Sequence, residues 1–210
     1  MILQLGLIGL QRIDKNMLPK LDPKMKYAPY DYVIRYLLPI IPKKLTPNQV
    51  TFTRLVCTPF LILALVLHEY QIALPMFIVL AFTDMLDGAM ARLRNKITDW
   101  GKIWDPIADK VLIGSVLVIL LLDVNLSLTI FVLAFEVAFI SGGTFMKLKH
   151  KDVDIQANGW GKIKMGLQSF GVGFLILGSF VGVFEFLFVA QVFLYISLFF
   201  AAMSLYKNGI

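Results

Sequence analysis

Residues 81–110 read AFTDMLDGAMARLRNKITDWGKIWDPIADK, and Asp84, Asp87, Gly88, Ala91, Arg92, Gly101, Asp105 and Asp109 stand out within them. The rest of the chain is built largely from long apolar runs. Asp84 and Asp87 are three residues apart, and Asp105 and Asp109 four apart. On helices each pair projects from one face, so two such helices can aim four carboxylates at a single point. At apolar depth each charge costs at least roughly 2.5–3.5 kcal/mol, so the cluster requires a compensating cation or a water-filled cavity. No Lys lies between Asp84 and Asp87, and the compensator expected here is a metal. A hard-oxygen set favours Mg²⁺ or Mn²⁺ over zinc. Cys57, His68 and His150 are too few to assemble a thiolate or imidazole site. Gly88 and Ala91 remove side-chain bulk one turn past Asp87, letting a ligand or a neighbouring helix approach closely. Arg92 adds a fork of donors suited to phosphate oxygens. Metal and Arg together point to a phosphorylated substrate.

The surroundings of this stretch set the fold class. The chain has 210 residues, of which 58% are hydrophobic and 16% charged, with a mean hydropathy of +0.76. That is too apolar for a soluble domain and fits one all-α bundle embedded in a membrane. Six apolar runs, at 49–68, 72–94, 100–122, 126–148, 160–183 and 186–206, each have about the 20 residues that cross a bilayer. His68-Glu69-Tyr70, residues 122–125 and Phe184-Glu185 hold no Lys or Arg. Lys43, Lys44, Arg92, Arg94, Lys96, the lysines at 147, 149 and 151, Lys162, Lys164 and Lys207 fall at the opposite ends of the runs. The positive-inside rule then places both termini in the cytoplasm, with the Asp cluster at the cytoplasmic ends of runs two and three, within reach of a soluble nucleotide and metal. Cys57, alone in an apolar run, forms no intramolecular disulfide and is expected to be a buried packing residue.

The stretch before the first run differs in kind. Residues 2–10 are apolar, with no basic residue ahead of them and no small-residue cleavage site behind, so a secretory signal peptide is not expected. Residues 30–41, YDYVIRYLLPII, are aromatic, amphipathic and too short to span, which suits a helix lying in the membrane interface. The chain divides accordingly into an N-terminal segment, 1–42, carrying this juxtamembrane helix, and a transmembrane domain, 43–210. Leu45-Thr46-Pro47-Asn48-Gln49-Val50-Thr51 marks a turn and a helix start, with Thr46 or Asn48 able to cap.

The pattern Asp84-x-x-Asp87-Gly88-x-x-Ala91-Arg92, eight residues, then Gly101-x-x-x-Asp105-x-x-x-Asp109 resembles the signature of the CDP-alcohol phosphatidyltransferases at every fixed position. The order of apolar segments extends the resemblance over residues 43–206. It implies an enzyme that transfers a phosphatidyl group from a CDP-linked lipid such as CDP-diacylglycerol to a small alcohol, releasing CMP and using two divalent metal ions, Mg²⁺ or Mn²⁺, in each active site. By the same resemblance Asp84, Asp87 and Asp105 match metal-binding acids, and Asp109 a general base that also serves as a metal ligand. Gly88, Ala91 and Gly101 match positions of close approach near the nucleotide, and Arg92 a phosphate contact. Asn48 and Thr51 match a Pro-Asn-x-x-Thr opening beside the cytidine, with plain helix capping as the other reading. The resemblance further implies a homodimer among membrane lipids, with no nucleic acid partner.

The acceptor is read from Asp105-Pro106-Ile107-Ala108-Asp109-Lys110 and from Gly161-Lys162-Ile163-Lys164-Met165-x-x-Gln168. Both are similar to the phosphatidylglycerolphosphate synthase branch, which implies glycerol 3-phosphate. Lys110, Lys162 and Lys164 are candidate cations for its phosphate, or else topology determinants. The branch's Arg-Glu pair is represented by Phe135-Glu136, so Glu136 stands without that Arg and needs a partner of its own. The same chemistry with phosphatidylglycerol, an inositol phosphate or an amino alcohol is the alternative, and an ion or proton transporter the distant one.

Overall fold

The computed structural model describes residues 18, 19, 21, 27–42, 44–149 and 159–208. The apolar stretch 2–10, Lys43 and Lys151 lie outside the described residues. Helix α1 is Asp31–Leu37, α2 Pro47–Val66 and α3 Tyr70–Leu93. Helix α4, Asp99–Val116, runs on through a π-helical turn, Leu117–Leu121, into Leu122–Val124. Then follow α5, Leu126–Lys149, α6, Gly159–Val181, and α7, Phe184–Asn208. No strand occurs among the described residues.

Each of the six apolar runs forms a helix close to its expected bounds. Four of them, α2, α3, α6 and α7, are long and apolar enough to cross a bilayer. Asp99, Lys102, Asp105, Asp109 and Lys110 make α4 too charged to qualify by composition, and the apolar part of α5 that qualifies is the shorter Leu126–Phe139. With four such helices the chain is an integral membrane protein.

Helix α1 is shorter than the expected 30–41. It ends at Leu37: Leu38 keeps helical backbone and donates to the Ile34 carbonyl, but Pro39 has no N–H to continue the ladder. Ile34 and Leu38 are buried with Val50, Ala89, Met90 and Leu93 in one apolar cluster. Tyr32, Val33, Tyr36 and Ile40 remain exposed.

The described chain divides into two compact units. One comprises the residues up to Thr58 together with Val79–Asp109, and the other Pro59–Ile78 together with the residues from Lys110 onward. In the first unit α2 is polar on its inner face, where Thr51, Arg54 and Thr58 are buried, while Phe52 and Val56 are exposed. That inverts the soluble pattern, as expected where lipid is the solvent and polar side chains must find partners within the protein.

In the second unit α6 buries Lys164, Gln168, Gly171, Leu175 and Gly178 along one stripe. A Cβ on Gly171 would come within 3.0 Å of Leu194, and one on Gly178 within 2.7 Å of Leu187. Small residues here let α6 and α7 approach closely, which replaces the hydrophobic driving force that lipid removes. Phe174 stacks on Phe193 at 5.7 Å beside this seam. Gly182, at φ 70°, turns the chain between the two helices.

Candidate active site

All four aspartates lie in the first unit. Helix α2 enters it through a capping box. The Thr46 hydroxyl accepts from the Gln49 N–H at 3.3 Å, and the Gln49 carboxamide oxygen accepts from the Thr46 N–H at 2.9 Å. Of the two capping candidates Thr46 therefore caps, and Asn48 is released for another task. Its side-chain oxygen accepts from the Thr98 hydroxyl at 2.8 Å, and Thr98 Oγ1 in turn accepts from the Gly101 N–H at 3.0 Å. A Cβ on Gly101 would stand 3.2 Å from Thr98 Oγ1 and 3.4 Å from both Asn48 Oδ1 and Asp105 Oδ2. Gly101 is thus a place of close approach, and its near neighbours are Thr98, Asn48 and Asp105. Asn48 also lines an open cleft of about 520 Å³ with Gln49, Phe52, Thr53 and Trp100.

One turn further along α2, Thr51 and Arg54 join the carboxylates. Thr51 Oγ1 lies 2.7 Å from Asp105 Oδ1 and 3.0 Å from Asp87 Oδ2. Arg54 donates to Asp84 through Nη1, and to Asp87 Oδ2 through Nη2 at 2.7 Å. Asp84, Arg54, Asp87, Thr51 and Asp105 therefore form one connected chain of polar contacts. Asp109 stands near enough to Arg54 to act on it electrostatically. Arg54 and Thr51 are fully buried, Asp87 is nearly so, and the Asp84 side chain is 36% exposed. The Asp84 side of the cluster is thus its open side.

Arg54 supplies part of the compensation expected of a metal, since its one positive charge is shared between Asp84 and Asp87 and leaves the four-carboxylate cluster with negative charge for a cation to meet. The sequence held the signal. Arg54 is a lone charge inside the first apolar run and three residues past Thr51, so the rule that singled out the aspartates applies to it equally. Among the described residues no three Asp, Glu, His or Cys side chains converge as a metal-holding group. The donor set nevertheless fits a hard divalent cation, since Asp84, Asp87 and Asp105 are linked through single intervening side chains and offer only oxygen.

Arg92, expected at phosphate, is paired within the chain. Its Nε donates to Asp31 Oδ2 at 2.7 Å, and its Nη2 to Asp31 Oδ1 at 2.8 Å and to the Tyr30 hydroxyl at 3.1 Å. The guanidinium also lies over the Tyr30 ring, 5.6 Å from its centroid. Its Nη1 would be 3.4 Å from a Cβ on Gly88, so the bare backbone of Gly88 lies beside this cation. Ala91 is half-buried on the same helix. Sequence reasoning missed Asp31, whose only signal was an acid in an aromatic stretch.

In the second unit Glu136 finds the partner the sequence could not name. Lys164 Nζ donates to it, Gln168 Nε2 donates to it at 3.0 Å, and the Lys164 ammonium lies 4.7 Å from the Phe139 ring centroid. Lys164 is buried, Lys162 exposed and Lys110 half-buried. Cys57 is half-buried rather than fully packed.

Comparison with known proteins bears on the chemistry. Residues 44–203 match the family model for CDP-alcohol phosphatidyltransferases. Over 136 residues the chain is 35% identical to the CDP-diacylglycerol–glycerol-3-phosphate 3-phosphatidyltransferase of Rickettsia felis, a stretch covering 63% of this chain and 75% of that protein. It is 30% identical over 146 residues to the protein of the same name from Bacillus subtilis, covering 62% and 76%. With the one from Mycoplasma genitalium it shares 33% identity over 99 residues, covering 47% and 42%.

Proposed function

The chain belongs to the CDP-alcohol phosphatidyltransferase family and is a phosphatidyltransferase, and from that premise we propose that it moves a phosphatidyl group from CDP-diacylglycerol to glycerol 3-phosphate. The observation that carries this reading is the connected chain Asp84–Arg54–Asp87–Thr51–Asp105, in which Thr51 and Arg54 of α2 tie together three of the motif's acids from α3 and α4. The names of the similar proteins support the choice of donor and acceptor.

In the proposed reaction the acceptor hydroxyl attacks the phosphorus that carries the diacylglycerol, and Asp109 takes the hydroxyl proton. A new P–O bond forms to the acceptor, the pyrophosphate P–O bond breaks, and CMP leaves with that electron pair. Asp84, Asp87, Asp105 and Asp109 would hold Mg²⁺ or Mn²⁺. Such ions, when bound, neutralise charge building on the leaving phosphate. Thr51 orients Asp105, and the bare backbones of Gly88 and Gly101 leave room for the nucleotide. Lys162 and Lys164, the candidate cations for an acceptor phosphate, lie in the second unit, where Glu136 and Gln168 hold Lys164 and Lys162 is exposed. The neutralisation of Lys164 by Glu136 favours, as the second reading, an acceptor with less charge.

Purified protein supplied with CDP-diacylglycerol and Mg²⁺ or Mn²⁺ is expected to release CMP when given glycerol 3-phosphate, and to stop when excess EDTA is added. Release driven instead by phosphatidylglycerol, an inositol phosphate or an amino alcohol would replace the acceptor. Undiminished turnover in EDTA would remove the metal.

The charge pattern supports an active site and both termini on the cytoplasmic side. A reporter fused after Ile210 is expected to be active only as a cytoplasmic marker, and activity on the opposite side would overturn this orientation.

A further inference from the structure

Asp31 lies far in sequence from the motif at 84–109, on a helix of seven residues, yet its carboxylate is completely buried. A buried carboxylate persists only where its charge is paired and its oxygens are bonded. Asp31 meets both conditions almost entirely through Arg92. Its Oδ2 accepts from Arg92 Nε at 2.7 Å and from the Ala28 N–H at 2.7 Å, and its Oδ1 accepts from Arg92 Nη2 at 2.8 Å. Tyr30, the preceding residue, accepts from Nη2 and places its ring against the guanidinium. One edge and one face of the Arg92 fork are therefore fixed by two neighbouring residues of the N-terminal segment, and the atom nearest Gly88 is Nη1.

An Arg in the last turn of a helix samples many rotamers, and fixing one of them before a ligand arrives removes an ordering cost from binding. We infer that Asp31 is a positioning residue for the CDP-lipid donor, acting through Arg92, which it holds beside Gly88 with Nη1 presented to a phosphate oxygen of the pyrophosphate. The inference rests on the phosphatidyltransferase reading and deepens it, because it gives the N-terminal segment a part in donor binding. It separates two roles for the same ion pair. A mere staple between α1 and α3 supports the fold without regard to substrate, whereas a positioning residue acts on donor affinity and leaves the acceptor untouched.

The test uses the full purified chain, with affinity for CDP and for CDP-diacylglycerol measured directly, beside the KM values for donor and acceptor. Asp31→Asn keeps the size of the side chain and removes its charge. It is expected to weaken donor binding about threefold to tenfold, the scale of one rotamer-rich side chain left unordered, with kcat and acceptor KM little changed. Asp31→Glu is expected to recover part of that loss. In an Arg92→Gln background Asp31→Asn is expected to add nothing, because it acts only through the guanidinium.

If Asp31→Asn does not yield folded protein, Tyr30→Phe carries the test. It removes only the hydroxyl acceptor on Nη2 and is expected to weaken CDP binding about twofold or more. A lowered melting temperature with wild-type donor affinity, additive losses in the double variant, or wild-type affinity in Tyr30→Phe would overturn the positioning role. Wild-type protein that binds neither CDP nor CDP-diacylglycerol would overturn the inference together with the reading beneath it. Binding of CDP without turnover of glycerol 3-phosphate would unseat only the acceptor.

Discussion

An Asp109→Asn variant is expected to keep its CDP-lipid donor while turnover falls by about a hundredfold to ten-thousandfold, the usual range for the loss of a general base. Asn has the shape of Asp but cannot take a proton from the acceptor hydroxyl. The contacts that tie Asp84, Asp87 and Asp105 together run through Arg54 and Thr51 and are untouched by the change. Asp109 is also the acid furthest along its helix from the Gly88 to Arg92 segment in sequence, so donor affinity is expected to survive. Donor affinity and turnover measured on the same variant decide the matter. Loss of donor as complete as in Asp84→Asn would make Asp109 chiefly a metal ligand.

Replacing Arg54 by Leu is expected to destabilise the protein by about 3–5 kcal/mol, the cost of breaking a buried ion pair from one side. The guanidinium is fully buried, and Asp87, which it meets at 2.7 Å, is nearly so. Without it Asp87 keeps Thr51, which also lies against Asp105, and two carboxylates then face each other across one hydroxyl. Mg²⁺ or Mn²⁺ is expected to raise the melting temperature of Arg54→Leu more than that of the wild type, because a cation on Asp84 and Asp87 replaces the missing charge and binds only the folded form. Arg54→Lys keeps the charge but loses the fork that reaches both acids, and so falls between. Thermal unfolding with and without the metal checks all three. A Leu variant as stable as the wild type would show that the buried pair contributes no net stability.

The helices and the site differ in how plainly they could be read. All six apolar runs form helices, and four of them are long and apolar enough to cross lipid, where a segment must satisfy its own backbone hydrogen bonds. The end of α1 was harder to place. The aromatic pattern continues to Ile41, but Pro39 stops the helix earlier. Among the site residues spacing paired Asp84 with Asp87 and Asp105 with Asp109, while the close approach at Gly101 came from the resemblance; the link between the two pairs through Arg54 and Thr51 was not legible. Asn48 was open between capping and another task, and only the geometry of Thr46 and Gln49 assigned the cap.

What the sequence determined by itself was the class of molecule and the placement of its acids, an all-α membrane protein whose carboxylates sit at helical intervals. Both follow from local rules, namely the period of a helix and the cost of charge in an apolar run. Which charge meets which was decided only by tertiary structure. Arg54 with Asp84 and Asp87, Arg92 with Asp31, and Lys164 with Glu136 are separated by 30, 33, 61 and 28 residues. Each basic residue also had a plausible local explanation as a topology signal, a helix-terminal cation or a phosphate ligand. A buried charge takes the partner that packing brings within reach, and the packing of helices is not written in the spacing along any one of them.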